Sequence, residues 1–94
     1  MKEIMLNKPI TAHGETLHVL ELREPTYDEI EALGIPFSYT ASGEMNLNTA
    51  SALKYIPVLA GIPRSSAKQM TPGDIFLVGM AIMGFFTGSG NSED

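Results

Sequence analysis

Ninety-four residues with no cysteine and a net charge of -5 describe one small domain held by packing or by a partner. A chain this size buries only roughly 60–65% of its unfolded surface, and it has no disulfide or thiolate metal site to add to that. Its six basic residues are scattered, which argues against nucleic-acid binding, where clustered Lys and Arg displace counterions.

The acidity is confined to one half. Positions 1–44 carry three Lys/Arg against eight Asp/Glu, while positions 45–94 carry three of each. The opening MKEIMLNKP lacks the basic and apolar regions of a secretory signal, so the chain is expected to stay where it is made.

EIMLN (3–7) and TLHVLELR (16–23) are short apolar runs separated by Pro9 and a His-Gly turn signal, which predicts a β-hairpin. In the second run Leu20 and Leu22 share one face and Leu17 and Val19 the other. The phase change near Val19 and Leu20 calls for a bulge there, or for both faces to be partly covered.

Glu24-Pro25 favours an extended exit from the strand. In TYDEIEALG, Thr26 and Glu29 form a capping box, Asp28 and Glu29 suit the positive end of a helix, and Gly34 suits its stop. Tyr27, Ile30 and Leu33 recur on one face, so this short helix is expected to lie against the hairpin with its acids in solvent. Residues 35–46, with Pro36 and Gly43, read as a loop tacked down by Phe37 and Tyr39.

Asn48 is the N-cap of TASALKYIPVLAG, with Ala52, Tyr55, Ile56 and Leu59 on one stripe. Pro57 is expected to kink or split this helix, because it lacks a donor and crowds the carbonyl four residues back. Ser65 or Ser66 starts one more turn. TPGD then gives the clearest start in the chain: Thr71 as N-cap, Pro72 at N1 and Asp74 at N3.

The last helix is expected over Pro72 to Phe86 and is apolar all round. Ile75, Val78, Ile82 and Phe85 form one face, Phe76, Met80 and Met83 a second, with Leu77, Ala81 and Gly84 between them. Such a helix is buried in a large protein, spans a membrane, or touches something on its second face. From Ile75 to Phe86 there are twelve apolar residues, short of the about 20 of a membrane span. A small domain has little left to cover both faces, so apolar surface is expected to remain exposed. A plain core helix or a homodimer seam fits the same pattern, and the flexible thioethers of Met70, Met80 and Met83 suit either a core or a surface that repacks against varied partners.

The fold expected is therefore α+β: an N-terminal hairpin followed by three to four helices in a domain over 1–87, with a polar tail over 88–94. No catalytic constellation is legible. His13 and His18 lack further ligands at metal-site spacing, the carboxylates at 21, 24, 28, 29 and 31 fall mostly on solvated faces, and GIPRSSAK has no nucleophile-elbow context.

The order LNKPI, LELREPT, ALKYIPVLAGIP, TPGDIFLVGMAIMGFF resembles the small tail-assembly chaperones of contractile-tailed phages and Mu-like prophages. The family pattern falls on Leu6 to Pro9, Leu22 to Pro25, Pro57, Pro72 to Asp74 and Gly84 to Phe86; the polar loop FSYTASGEMNLN (37–48) departs from it. The resemblance implies a non-enzymatic protein without cofactor that holds the long helical tape measure protein in the host cytoplasm, without ATP, until tube protein displaces it. It also implies absence from the finished virion, and self-association or a longer frameshifted form as further partners, with no nucleic acid or membrane. Phe76, Met80, Met83 and Phe86 are the partner contacts expected on that reading. The alternative is a small structural or adaptor protein retained in the tail.

Overall fold

The computed structural model describes residues 1–88; the GSGNSED tail, apart from Gly88, lies outside them. The chain is α+β, as its patterning predicts. Strands β1 (Lys2–Ala12) and β2 (Glu15–Leu22) form an antiparallel hairpin, followed by α1 (Tyr27–Leu33), a small hairpin of β3 (Phe37–Tyr39) and β4 (Met45–Leu47), then α2 (Thr49–Ala60), α3 (Arg64–Ala67) and α4 (Pro72–Thr87).

His13 and Gly14 both take positive φ, 54° and 77°, the backbone of a tight two-residue turn whose twist matches the strands. The inner face of the hairpin presents Leu6, Ile10, Ala12, Leu20 and Leu22. These pack against Tyr55, Ile56 and Leu59 of α2 and Val78 and Ile82 of α4, with Ile62 and Met70 closing the sides. The outer face is open: Met5 and Val19, paired across the strands, are 76% and 37% exposed.

The irregularity in the hairpin falls in β1 rather than β2. Met5 pairs with Val19 and Ile10 with Leu17, so Leu6 to Pro9 stand opposite His18 alone. Pro9, which has no N–H for a ladder, is accommodated there. The bulge leaves backbone donors of β1 to be satisfied elsewhere, and Asp74 in the first turn of α4 takes them. Its carboxylate accepts from Asn7 N–H at 3.0 and 3.1 Å, from Lys8 N–H at 3.1 Å and from Asn7 Nδ2 at 3.0 Å. Thr71 Oγ1 caps Asp74 N–H at 3.2 Å. Asp74 is fully buried, and the Asn7 N–H bond above all holds its acid below the usual carboxylate range, against the opposing effect of burial. Further along the same strand, Gln69 completes the edge: Oε1 accepts from Thr11 N–H at 2.8 Å and Nε2 donates to Thr11 O at 3.1 Å.

Arg23 makes the second joint. Its guanidinium grips Glu29 through two parallel bonds of 2.9 and 2.6 Å, and its backbone N–H donates to Leu59 O at 3.2 Å. Glu29 Oε1 also accepts from Thr26 N–H at 2.9 Å, completing the expected capping box. Arg23, then Thr26, lower the Glu29 acid to about 2. The end of β2, the start of α1 and the end of α2 thus meet at one side chain.

Two local expectations need correction, and a third is narrowed. Tyr27 does not lie on the packed face of α1 but is 80% exposed, while Ile30 and Leu33 are half-buried. At the first helical position it stands beyond the reach of the core, and α2 is the main element α1 touches. The 35–46 segment contains a short ladder, Phe37 to Leu47 and Tyr39 to Met45, closed by Thr40 and Gly43. Of the two outcomes expected at Pro57, a kink or a split, the split does not occur, and α2 runs unbroken to Ala60. The proline lies only one turn from the helix end, and the burial of Tyr55, Ile56 and Leu59 on either side of it holds the helix together.

Gly79 is inside α4, where a Cβ would meet nothing within 4 Å. Gly79→Ala is therefore expected to stabilise the chain by roughly 0.5–1 kcal/mol through helix propensity, read as a rise of about 3–6 °C in thermal denaturation.

Candidate functional site: the outer face of the last helix

Helix α4 has one side sealed and one side open. Val78 and Ile82 are fully buried and Met83 is 5% exposed, whereas Phe76, Leu77 and Met80 are 58, 43 and 45% exposed. Helical geometry brings the last three together: Met80 follows Phe76 by four residues and Leu77 by three, so they form one patch along two turns. No charged side chain of α4 follows Asp74, so the patch has no polar residue of its own to solvate it.

Of the four contacts expected from sequence, Phe76 and Met80 lie on this open face. Met83 is buried, and Phe86 is half-buried in an aromatic series: its ring meets Tyr55 at 5.7 Å and Phe37 at 6.1 Å, and Phe37 meets Tyr39 at 6.0 Å, all edge-on. Tyr55 is anchored in turn by its hydroxyl, which donates to Gly34 O at 2.5 Å. Phe86 thus ties α4 to α2 and to the small hairpin. Leu77, which the sequence reading left between faces, joins the patch. A signal for it was present in Gly73, exposed and one turn before Leu77, which has no side chain to cover that side of the helix.

Beside the patch lies a cleft of about 240 Å³, walled by Leu53, Ile56 and Pro57 of α2, Ala67 of α3 and Ile75 of α4, with Arg64 and Lys68 also lining it. It is smaller than the roughly 300 Å³ at which small-molecule pockets begin, so its dimensions suit a side chain. Among the described residues no helix is long and apolar enough to cross a membrane, and no cluster of His, Asp and Glu is placed to hold a metal ion.

A comparison with protein families matches residues 3–87 to the one described as phage tail assembly chaperone proteins, E, or 41 or 14. Searches of curated proteins and of solved structures find no match.

Proposed function

The chain belongs to the phage tail assembly chaperones, and from that premise we propose that it holds the tape measure protein soluble in the host cytoplasm until the tail tube polymerises around it. The observation that carries this reading is the patch of Phe76, Leu77 and Met80, left uncovered on a helix whose other side is core. Long apolar helices need such a cover, and an apolar helix face recognises another helix by laying it along its own length.

The energetics suit a holder that must let go. Burying the exposed parts of the three side chains gives on the order of 3–4 kcal/mol, about half the value of full burial, before any cost of immobilisation. A single copy therefore holds in about the millimolar range or weaker, and firm holding needs many copies along one client. Tube protein can displace such copies without ATP. On this reading the chain acts by binding rather than catalysis and is absent from finished particles.

Co-expression with the long helical tail protein tests the proposal. The soluble yield of that protein is expected to rise, and the two are expected to co-purify. If the long protein stays insoluble beside abundant chaperone, or the chain persists in purified particles, the holding role is wrong and a retained structural component takes its place.

A further inference from the structure

The charge asymmetry of the chain is also an asymmetry of surfaces. All three basic residues of the second half are exposed, Lys54 on α2, Arg64 at the start of α3 and Lys68 capping its end, and they make no ion pair among the described residues. Arg64 and Lys68 are four positions apart, so they stand on one side of α3, where both line the apolar cleft. On another side of α2, α1 presents Tyr27, 80% exposed, with Asp28 beside it and Glu31 one turn on, both exposed and likewise without an ion pair among the described residues. An aromatic ring flanked by two carboxylates faces outward at one place, and a side-chain-sized apolar cleft flanked by two cations opens at another.

We propose that the cleft between α2, α3 and the start of α4 receives Tyr27 from a second copy of the chain, with Asp28 and Glu31 of that copy meeting Arg64 and Lys68. The spacings are compatible, since Asp28 and Glu31 are three positions apart and Arg64 and Lys68 four, each about one helical turn. A buried tyrosine ring supplies the anchor, and the flanking charges set its orientation.

The two surfaces lie on opposite sides of α2, so a chain does not fill its own cleft. Tyr55 receives α1 through Gly34, and Ser51 stands beside Gly34, whereas Leu53 and Pro57 wall the cleft. At about 100° per residue, Ser51 and Tyr55 point roughly 160–200° away from Leu53. The contact is therefore head-to-tail, and repeated it gives a ring or an open row of copies rather than a closed two-fold dimer. Its small size places it among weak interfaces, so assembly depends on concentration.

The test is sedimentation of the purified full chain between about 10 μM and 1 mM, a range set by the weakness of such interfaces. Weight-average mass is expected to climb past that of a dimer at the upper end, and to fall back in 0.5 M salt. Tyr27→Ser, the pair Asp28→Lys with Glu31→Lys, and the pair Arg64→Glu with Lys68→Glu are each expected to weaken assembly about tenfold or more. All five positions are exposed, so circular dichroism should stay unchanged. Mixing the two charge-reversed proteins restores both contacts, acid to base in each direction, and assembly should return in the mixture alone. A chain that stays monomeric throughout overturns the proposal. So does assembly that survives these substitutions, which would place the contact between copies on the α4 patch, and so does a cleft protected only when a client helix is added.

Discussion

Asp74→Ala is expected to destabilise the chain by about 3 kcal/mol, since hydrogen bonds to a charged group contribute roughly 1.5–3 kcal/mol each and the donors left behind keep their desolvation cost. Asp74 takes the backbone N–H groups of Asn7 and Lys8 in the β1 bulge and the Asn7 side chain, so its removal unties α4 from the hairpin. Against a total of roughly 5–15 kcal/mol for a domain, that is a large share. Asp74→Asn should not rescue it, because an amide that keeps one acceptor turns its own N–H₂ toward a donor of Asn7 or Lys8. Urea unfolding measures both variants, and a loss below about 1 kcal/mol for Asp74→Ala would mean that the bulge is held by something else.

The same carboxylate predicts an acid limb. Asp74 and Glu29 are both more acidic folded than unfolded, Glu29 at about 2, whereas carboxyls of the unfolded chain titrate near 4. A group shifted in this sense stabilises fully above its unfolded value and loses that contribution as pH falls through the folded one. Stability is therefore expected to be level above about pH 5 and to decline from about pH 4 toward pH 2. Asp74→Asn should shrink the difference between pH 7 and pH 3. Glu29→Gln should shrink it less, because Arg23 and Glu29 keep 41% and 22% of their side-chain surface in water, where screening leaves an ion pair about 0–1 kcal/mol.

These joints explain why much of the fold is legible in the sequence while the contacts that assemble it are not. The cap of α4, Thr71 with Pro72 and Asp74, is a local signal, and it is present as read. The long-range task of Asp74 is not, since Asn7 lies 67 positions away and nothing in LNKP says which carboxylate will take its donors. Two segments of the family pattern, Leu6 to Pro9 and Pro72 to Asp74, prove to be the halves of one joint, and Leu22 to Pro25 contains the second through Arg23. The small β3–β4 hairpin was hidden because Pro36, Gly43 and three Ser or Thr dominate the composition of 35–46. The alternations Phe-Ser-Tyr and Met-Asn-Leu are only three residues each, too short for periodicity to outweigh turn residues. Within α4, all-round apolarity announces a helix with two demands on it but gives no phase. Only the packing of Val78 and Ile82 on the hairpin and α2 decides that Met83 goes inside and Leu77 outside.

That phase sets up the sharpest functional test, a pair of identical charges two residues apart. Ile82→Glu places an unpaired carboxylate at a fully buried position. The expected loss exceeds about 4–5 kcal/mol, enough to unfold a domain of this size. Met80→Glu puts the same group at a side chain 45% exposed on the open face, where the loss should stay within about 1 kcal/mol. Its effect should fall instead on the client, because a carboxylate pressed against an apolar helix must be desolvated without a partner. Phe76→Glu, closer to the positive N-terminal end of α4, should be milder still for stability and equally damaging for holding. The readouts are a urea midpoint and the soluble yield of the co-expressed long tail protein. If both Met80→Glu and Ile82→Glu unfold the chain, α4 is core on every side. A folded Met80→Glu chain that still solubilises the long protein fully would move the client contact off this face.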